Sequence, residues 1–443
     1  ALSSAASDVY KRQKVDSNHF NYMMNKKLVK STAIYAISDG ISKGLSFITL
    51  PFVSFYLIPA ELGVAANFDV LQNILCLLAW QAVVYSLPYF YYDRTRQEFA
   101  KLVTSLIVTI VLSCIFLAGV IFLTFGYIQK YIHLSLTLQF LSVVTAFSFL
   151  ITNIGLVLYR IEEKAKCFMV LQILQTILNL SLLILLVIGL KMGALGKILT
   201  TACTFLVFSV VHLFLLWKRG YLVPKISLDS MRELLHFGIP LLPHSLSFWL
   251  KSGMDKVLLT TYCGLTINGL YSMAMSFGAA YSIFFTAFKG AYVPYLQKRL
   301  NAMNDINRDS EKRSIVILSY RIMVCFSILS ILAILVCWLA MKFLLSDKYL
   351  PSFQFVPWII LSQTIFSIYG LVVEFPYTVK KTFGLGIITF LGSLVQFLLS
   401  YTLISNYGSN GIKISLIIGN TIIAIAVWWY SNKVFPMPWF LKK

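Results

Sequence analysis

The sequence predicts an all-α polytopic membrane protein with about twelve transmembrane helices, and three observations predict it. Twelve apolar runs follow one another with hardly any polar sequence between them, each near or above the ~20 residues that a helix needs to cross a bilayer. The composition is 58% hydrophobic and 12% charged, with a mean hydropathy of +0.80, whereas soluble domains carry about 25% charged residues. Basic residues also alternate between successive connections, as membrane insertion requires.

Taken in order, the runs cover about 31–57, 67–90, 102–126, 136–158, 168–189, 198–217, 234–262, 269–297, 314–341, 355–378, 383–405 and 412–430. The longest internal polar stretch, about 298–313, is too short to build a core of its own. One set of connections holds twenty-four Lys and Arg, and the alternate set only Lys130, Lys191, Lys197, Lys342, Lys348 and Lys413. The richer set and both termini are therefore expected in the cytoplasm, and the number of spans is even. The net charge of +20 is thus a signal of topology, and no nucleic-acid partner is expected.

The opening segment ALSSAASDVYKRQ has no initiating Met and no apolar core, so it reads neither as a signal peptide nor as a helix. It resembles adaptor read-through, and Met23 or Met24 is the more natural start. Residues 1–25 read as a non-native or disordered leader, 26–220 as a first six-span half and 221–443 as a second.

The seven cysteines show no CxxC spacing and lie mostly within spans, where thiols serve as small apolar fillers. His133, His212, His236 and His244 fall around span ends without metal-ligand spacing and read as interfacial. Neither a metal nor a cofactor is expected. The absence of GxxxxGK[ST] disfavours ATP hydrolysis by this chain.

Function should reside in the charges within the spans: Asp39 and Lys43 in the first, Lys251, Asp255 and Lys256 in the seventh, and Lys289 in the eighth. Asp69 and Glu374 lie nearer span ends. A charge at mid-bilayer costs roughly 2.5–3.5 kcal/mol on insertion scales, so each should face protein or water. Asp39 with Lys43, and Lys251 with Asp255, stand four residues apart on one helix face, and mutual neutralisation is a purely structural alternative. Lys43 and Lys251 sit at similar depth in the helices that open the two halves, where parallel repeats place a substrate site. Lys289 is offset toward the cytoplasm by roughly 9 Å. Phe285, Phe288 and Tyr292 share its helical face and are expected to line a portal. Pro240 and Pro243, which interrupt backbone hydrogen bonding, are hinge candidates.

From Phe237 onward the sequence FGIPLLPHSLSFWLKSGMDKVLLTTYCGLTINGLYSMA orders G-x-P-x-x-P, S-x-W, an acidic–basic pair, a Gly turn and G-x-Y. It resembles the seventh and eighth spans of O-antigen and polysaccharide repeat-unit flippases. LPFVSFYLIPAELG (50–63) and YRIEEKAKCF (159–168) fit the same family, and the resemblance extends from about Lys26 over nearly the whole chain. It implies the multidrug/oligosaccharidyl-lipid/polysaccharide exporter superfamily: two six-helix bundles around a central cationic cavity in the bacterial inner membrane. The implied substrate is an oligosaccharide, such as an O-antigen unit of lipopolysaccharide, on a polyprenyl diphosphate. Implied partners are this glycan, membrane lipids, a polysaccharide polymerase and a chain-length regulator. Asp255 and Lys256 occupy the family's acidic–basic pair, with Lys where Arg is usual. Lys lacks the guanidinium fork, so Lys251 and Lys43 are expected on the phosphates, with Lys256 and Lys289 adding positive charge. Asp39 and Asp255 balance the lysines, and Asp39, Asp69 and Glu374 are the carboxylates available for ion coupling.

Other readings stay open. A multidrug or cation antiporter of the same superfamily would share the architecture, with a more acidic cavity. A membrane polymerase or glycosyltransferase would need a charged extramembrane loop for sugar chemistry, and the outward loops are short and nearly uncharged. A transporter rather than an enzyme is expected.

Overall fold

The computed structural model describes residues 34, 35, 37, 38, 40–42, 44, 47–303, 308–379 and 381–440, all organised by helices and the turns between them. The leader, Asp39 and Lys43 lie outside the described residues. The chain runs through α1 (47–56), α2 (Pro59–Leu78), α3 (Gln81–Tyr85), α4 (Leu87–Tyr91), α5 (Arg96–Ile132), α6 (Leu136–Ile161), α7 (Ala165–Leu183), α8 (Gly193–Lys218) and α9 (Leu228–Gly238). It continues through α10 (Leu242–Ser252), α11 (Met254–Cys263), α12 (Leu265–Asn301), α13 (Arg308–Leu344), α14 (Val356–Val372), α15 (Glu374–Thr378), α16 (Thr382–Tyr407) and α17 (Ser409–Val434).

Among the described residues, ten helical stretches are long and apolar enough to span a membrane. They coincide with ten of the twelve expected runs. The expected run 234–262 is instead split into α9, α10 and α11. Pro240 sits in the 3-10 turn Ile239–Leu241 and Pro243 in the first turn of α10, where a missing N–H costs no helical hydrogen bond. A second break falls at Gly253, where α10 ends and α11 begins.

The second expected run shifts as well, because α2 starts at Pro59 rather than 67 and stops at Leu78. Trp80 adopts a left-handed conformation, φ 73°, that ends the helix, and its Nε1 donates to Ser113 Oγ at 2.8 Å. α5, α12 and α13 each run 37 residues, about 55 Å at 1.5 Å per residue, so their ends project beyond the ~30 Å hydrocarbon layer. A capping box starts α5: Glu98 N donates to Thr95 Oγ1 while Thr95 N donates to Glu98 Oε2, satisfying two of the helix's otherwise orphaned donors.

One apolar cluster runs from Ala65 through Leu102, Ile151 and Ile198 to Tyr221 and Leu234, so α9, beyond the expected boundary at 220, packs with the helices before it. The second half holds a cluster around Tyr292, Phe326 and Phe375. Between them, a third cluster joins Val53, Leu57 and Leu183 to Tyr271, Phe277 and Phe355.

Candidate functional site

α2 and α12 join the halves at one end. A Cβ at Gly63 would run into the carbonyl of Leu265, and one at Gly269 into the carbonyl of Pro59, so the two backbones approach closely because both positions lack a side chain. One turn deeper, buried Asn67, Thr260 and Asn268 form a polar knot. Asn268 Nδ2 donates to Asn67 Oδ1 at 2.8 Å and to Thr260 Oγ1 at 2.9 Å. Thr260 Oγ1 donates to Asn67 Oδ1 at 3.1 Å, and Asn67 Nδ2 to Ile132 O at 2.8 Å. This end is sealed.

Behind the seal, α10, α11, α12, α14, α16 and α17 enclose a cavity of about 230 Å3 that Lys251, Asp255, Gln363, Phe366, Gln396 and Asn420 line. The Lys251 ammonium lies 4.0 Å from the Phe366 ring centroid, a cation–π contact. Lys251 and Asp255 lie in each other's field without a direct ion pair among the described residues, so the structural alternative of mutual neutralisation is not realised as a contact. The Gly253 break separates them. Asp255 is buried, approached by the hydroxyls of Ser400 and Tyr271. Its Oδ2, both polar atoms of the Gln396 carboxamide and Asn420 Oδ1 have no hydrogen-bond partner. Each such buried atom costs about 1–3 kcal/mol unless water or a ligand meets it.

An adjoining cavity of about 420 Å3 lies between the halves and shares Phe248, Ser252 and Met275 with the first. Lys256, Asn73, Gln81, Tyr85 and Trp249 line it, and Trp249 Nε1 donates to Val70 O at 3.1 Å, tying α10 to α2. Asp255 and Lys256, adjacent in sequence, therefore serve different cavities. The Asp69 side chain is exposed although it lies deep among the helices, and both Lys256 and Lys197 lie in its field. Lys197, expected in an outer loop, stands inside the first turn and a half of α8.

Lys289 and Glu374 come together, Nζ to Oε1 at 2.8 Å, with Glu374 8% exposed in its side chain. The Lys289 charge is thereby matched by a carboxylate. Phe288 stacks on Tyr292 at 5.4 Å, and Phe285 and Phe288 both pack edge-on against Phe326. With Tyr292 4% exposed, this face belongs to the core of the second half. His212, expected at an interface, is fully buried between α6 and α8, close against Gly155.

Lys197, Gln363, Gln396 and Asn420 were missed by reasoning from charge within spans. A signal existed for the amides, because an Asn or Gln isolated in an apolar run must face protein or water just as a charge must. Outside the spans, Glu162 follows α6 and pairs with Lys164 at 2.7 Å and with Arg219, while accepting from Tyr221. Burial pushes its carboxyl up, but hydrogen bonds from Lys164, Tyr221 and Arg219 outweigh this and hold it below the usual range. Arg94 pairs with Glu233 and fixes α9 against the first half.

The fold is similar to that of solved transporters. "Lipid II flippase MurJ, inward closed conformation" matches with a TM-score of 0.69 at 15% identity, covering 91% of this chain and 88% of that one. An inward-facing multidrug resistance MATE family transporter of the MOP superfamily matches with a TM-score of 0.65 at 16% identity, covering 88% and 94%. Lsg locus putative protein 1 of Haemophilus influenzae is 26% identical over 286 residues, 62% of this chain and 67% of that protein. Residues 28–299 match the family described as polysaccharide biosynthesis protein, and because that match spans more than half of the sequence, this multi-pass membrane chain belongs to the polysaccharide biosynthesis protein family.

Proposed function

We propose that the protein is a flippase that moves a polyprenyl-diphosphate-linked oligosaccharide from the cytoplasmic to the periplasmic leaflet of the bacterial inner membrane by alternating access. Residues 26–220 and 221–443 are the two moving halves. The observation that carries the reading is the placement of Lys251 and Lys256 on adjoining cavities behind a sealed end. A diphosphate bearing hydrophilic sugars does not cross hydrocarbon unaided, and fixed ammonium groups in a water-accessible lumen supply counter-charge through charge-assisted hydrogen bonds. The prenyl tail stays in lipid while the head group passes between the halves.

Asp255 sits one turn from Lys251, and Asp69 lies beside Lys256 and Lys197. These carboxylates balance part of the cationic field before substrate arrives, so the lumen holds fixed charge without a bound counter-ion. The excess of basic residues in the opposite set of connections supports a periplasmic position for the Gly63–Gly269 end, and in this reading the state is the one that accepts substrate from the cytoplasm. The breaks at Pro240 and Gly253 divide the Lys251-bearing segment into short pieces that can swing when the knot at Asn268 opens.

Translocation of labelled polyprenyl-diphosphate oligosaccharide in proteoliposomes tests the reading, with the parent protein compared with Lys251→Ala and with the exposed-surface control Lys166→Ala. Transport by the parent and the control, and its loss in Lys251→Ala, supports a flippase with a cationic site. Export of organic cations by a folded parent that moves no lipid-linked glycan would establish the antiporter instead.

A further inference from the structure

Between α6, α7, α8 and the first span, which contributes Ser42, lies a cavity of about 310 Å3 that the charge-based reading leaves without a role. Among the described residues its lining carries no charged group. It is built from the carboxamides of Asn153, Gln172, Gln175 and Asn179 and the rings of Phe149 and Phe205. Gln172, Gln175 and Asn179 stand at i, i+3 and i+7 on α7, so they form a single polar stripe on a helix that is otherwise almost wholly apolar. Such a stripe is costly at membrane depth unless each amide meets protein, water or ligand.

Mutual packing accounts for part of it: Ser38 Oγ donates to Gln172 Oε1 at 2.9 Å, and Thr176 Oγ1 donates to Ser42 Oγ at 3.2 Å, which leaves Gln175 and parts of the Asn153 and Asn179 carboxamides. Asn179 Nδ2 donates to Thr204 Oγ1 at 3.2 Å, and Asn153 Nδ2 turns back to Phe149 O at 2.8 Å. A carboxamide offers two donor hydrogens and an acceptor with two lone pairs, and these bonds use a fraction of that capacity. Gln175 makes no hydrogen bond among the described residues. Phe149 and Phe205 meet edge to face, 5.1 Å between centroids, a geometry that leaves ring surface for stacking. Amide donors and acceptors converging beside aromatic rings suit a ligand rich in hydroxyls and C–H faces. The volume stands at the lower end of the ~300–1,000 Å3 of small-molecule sites, room for a sugar ring rather than a whole repeat unit. Tyr85, which lines the cavity between the halves, donates to Asn153 Oδ1 at 3.4 Å, so the neutral cavity adjoins the lysine-lined path.

We propose that this cavity is a glycan subsite that takes an uncharged sugar of the lipid-linked head group, while Lys251 and Lys256 hold the diphosphate. The proposal rests on the flippase reading above. A uronate placed here would be a desolvated anion with no cation among the described lining residues, so the subsite discriminates against acidic sugars.

Binding of free trisaccharides, with lipid and diphosphate removed, is measured by equilibrium dialysis against the purified full chain. One probe carries only hexose and N-acetylhexosamine, and the other replaces one hexose by a uronate. The neutral probe should bind at least tenfold more tightly than the acidic one. Gln175→Leu and Asn179→Leu should each weaken it about tenfold, and the exposed-surface control Lys166→Ala should leave it unchanged. Absence of saturable binding of the neutral probe, preference for the uronate, or parent-like binding by both leucine variants would overturn the subsite. Comparing the two probes on the parent protein needs no variant, so misfolding of a variant cannot hide the answer. The two proposals also separate: a parent that binds the neutral probe but translocates no lipid-linked glycan retains the subsite and loses the flippase. A parent that translocates, with leucine variants equally active on the oligosaccharide, retains the flippase and loses the subsite.

Discussion

Two buried polar regions a few turns apart differ in how completely they are satisfied. At the knot, the Asn67 carboxamide and the Asn268 amide nitrogen are engaged, and Thr260 both donates and accepts. Around Asp255, a carboxylate oxygen, an entire Gln396 carboxamide and the Asn420 carbonyl have no partner. Saturated buried networks rigidify and specify one arrangement, whereas unsatisfied groups hold free energy that a ligand can release. The contrast separates a seal from a site, although both are polar side chains in apolar helices.

The most severe test of the contrast falls on the site. Replacing a charged partner of a phosphate costs about 1.5–3 kcal/mol, or roughly 10- to 150-fold in affinity. Lys251→Ala and Lys256→Ala are therefore expected to lower glycan-lipid transport by at least tenfold each. Lys251→Arg, which keeps the charge and the stacking on Phe366, should retain more activity than Lys251→Ala. Initial rates in proteoliposomes check both. Equal rates in all variants would place the site elsewhere.

The seal should respond in stability and state rather than in affinity. Gly269→Leu drives a side chain into the Pro59 carbonyl, overpacking that costs about 1–3 kcal/mol. The expected outcome is a lower midpoint of unfolding in detergent and increased thiol labelling of the native Cys263 at the end of α11. Unchanged labelling would mean that this end opens without parting Gly63 from Gly269. Asn268→Leu strips Asn67 of one donor and should cost about 1–2 kcal/mol, non-additively with Asn67→Leu, as a double-mutant cycle would register.

How much of this was legible in the sequence follows from what each signal encodes. The helical membrane class and ten of the spans were readable because apolar length and basic alternation report directly on the bilayer. The run 234–262 misled because hydropathy averages over Pro240, Pro243 and Gly253, which break the helix without making it less apolar. Placing Lys251 and Asp255 in one cavity needed only their depth and spacing, but Lys256 facing Asp69 across the halves is a tertiary fact. The charge filter passed over Gln396, Asn420 and the amide stripe of α7 because amides contribute nothing to a count of charged residues.

Lys289 offers a further, smaller test, since charge within a span looked equally functional there. In the structure it meets Glu374, and removing it leaves a mostly buried carboxylate without its partner, a cost of about 1–3 kcal/mol. Lys289→Ala should lower thermal stability, and Lys289→Ala with Glu374→Gln should restore most of the loss, because the double variant removes both charges. Restored stability with restored transport assigns the pair to packing. Restored stability with transport still lost would return Lys289 to the substrate path.

The smallest effect should come from Glu162, at the aqueous margin where partners are present but water competes. Its carboxyl is held below the usual range by Lys164, Tyr221 and Arg219 against the opposing effect of burial. The folded state therefore binds its proton more weakly than the unfolded state, and the stabilisation is fully present above the unfolded value of about 4.3. It is lost as pH falls through the folded value. Exposed ion pairs contribute up to about 1 kcal/mol, so Glu162→Gln should cost no more than that near pH 7 and should flatten the acid limb of the unfolding midpoint below about pH 4.3. Because the seal at Asn67, Thr260 and Asn268 contains no titrating group, its contribution should stay constant over the same range. An acid limb equally steep in Glu162→Gln would mean that the dependence arises from other carboxylates, with the three contacts of Glu162 adding nothing that protonation can remove.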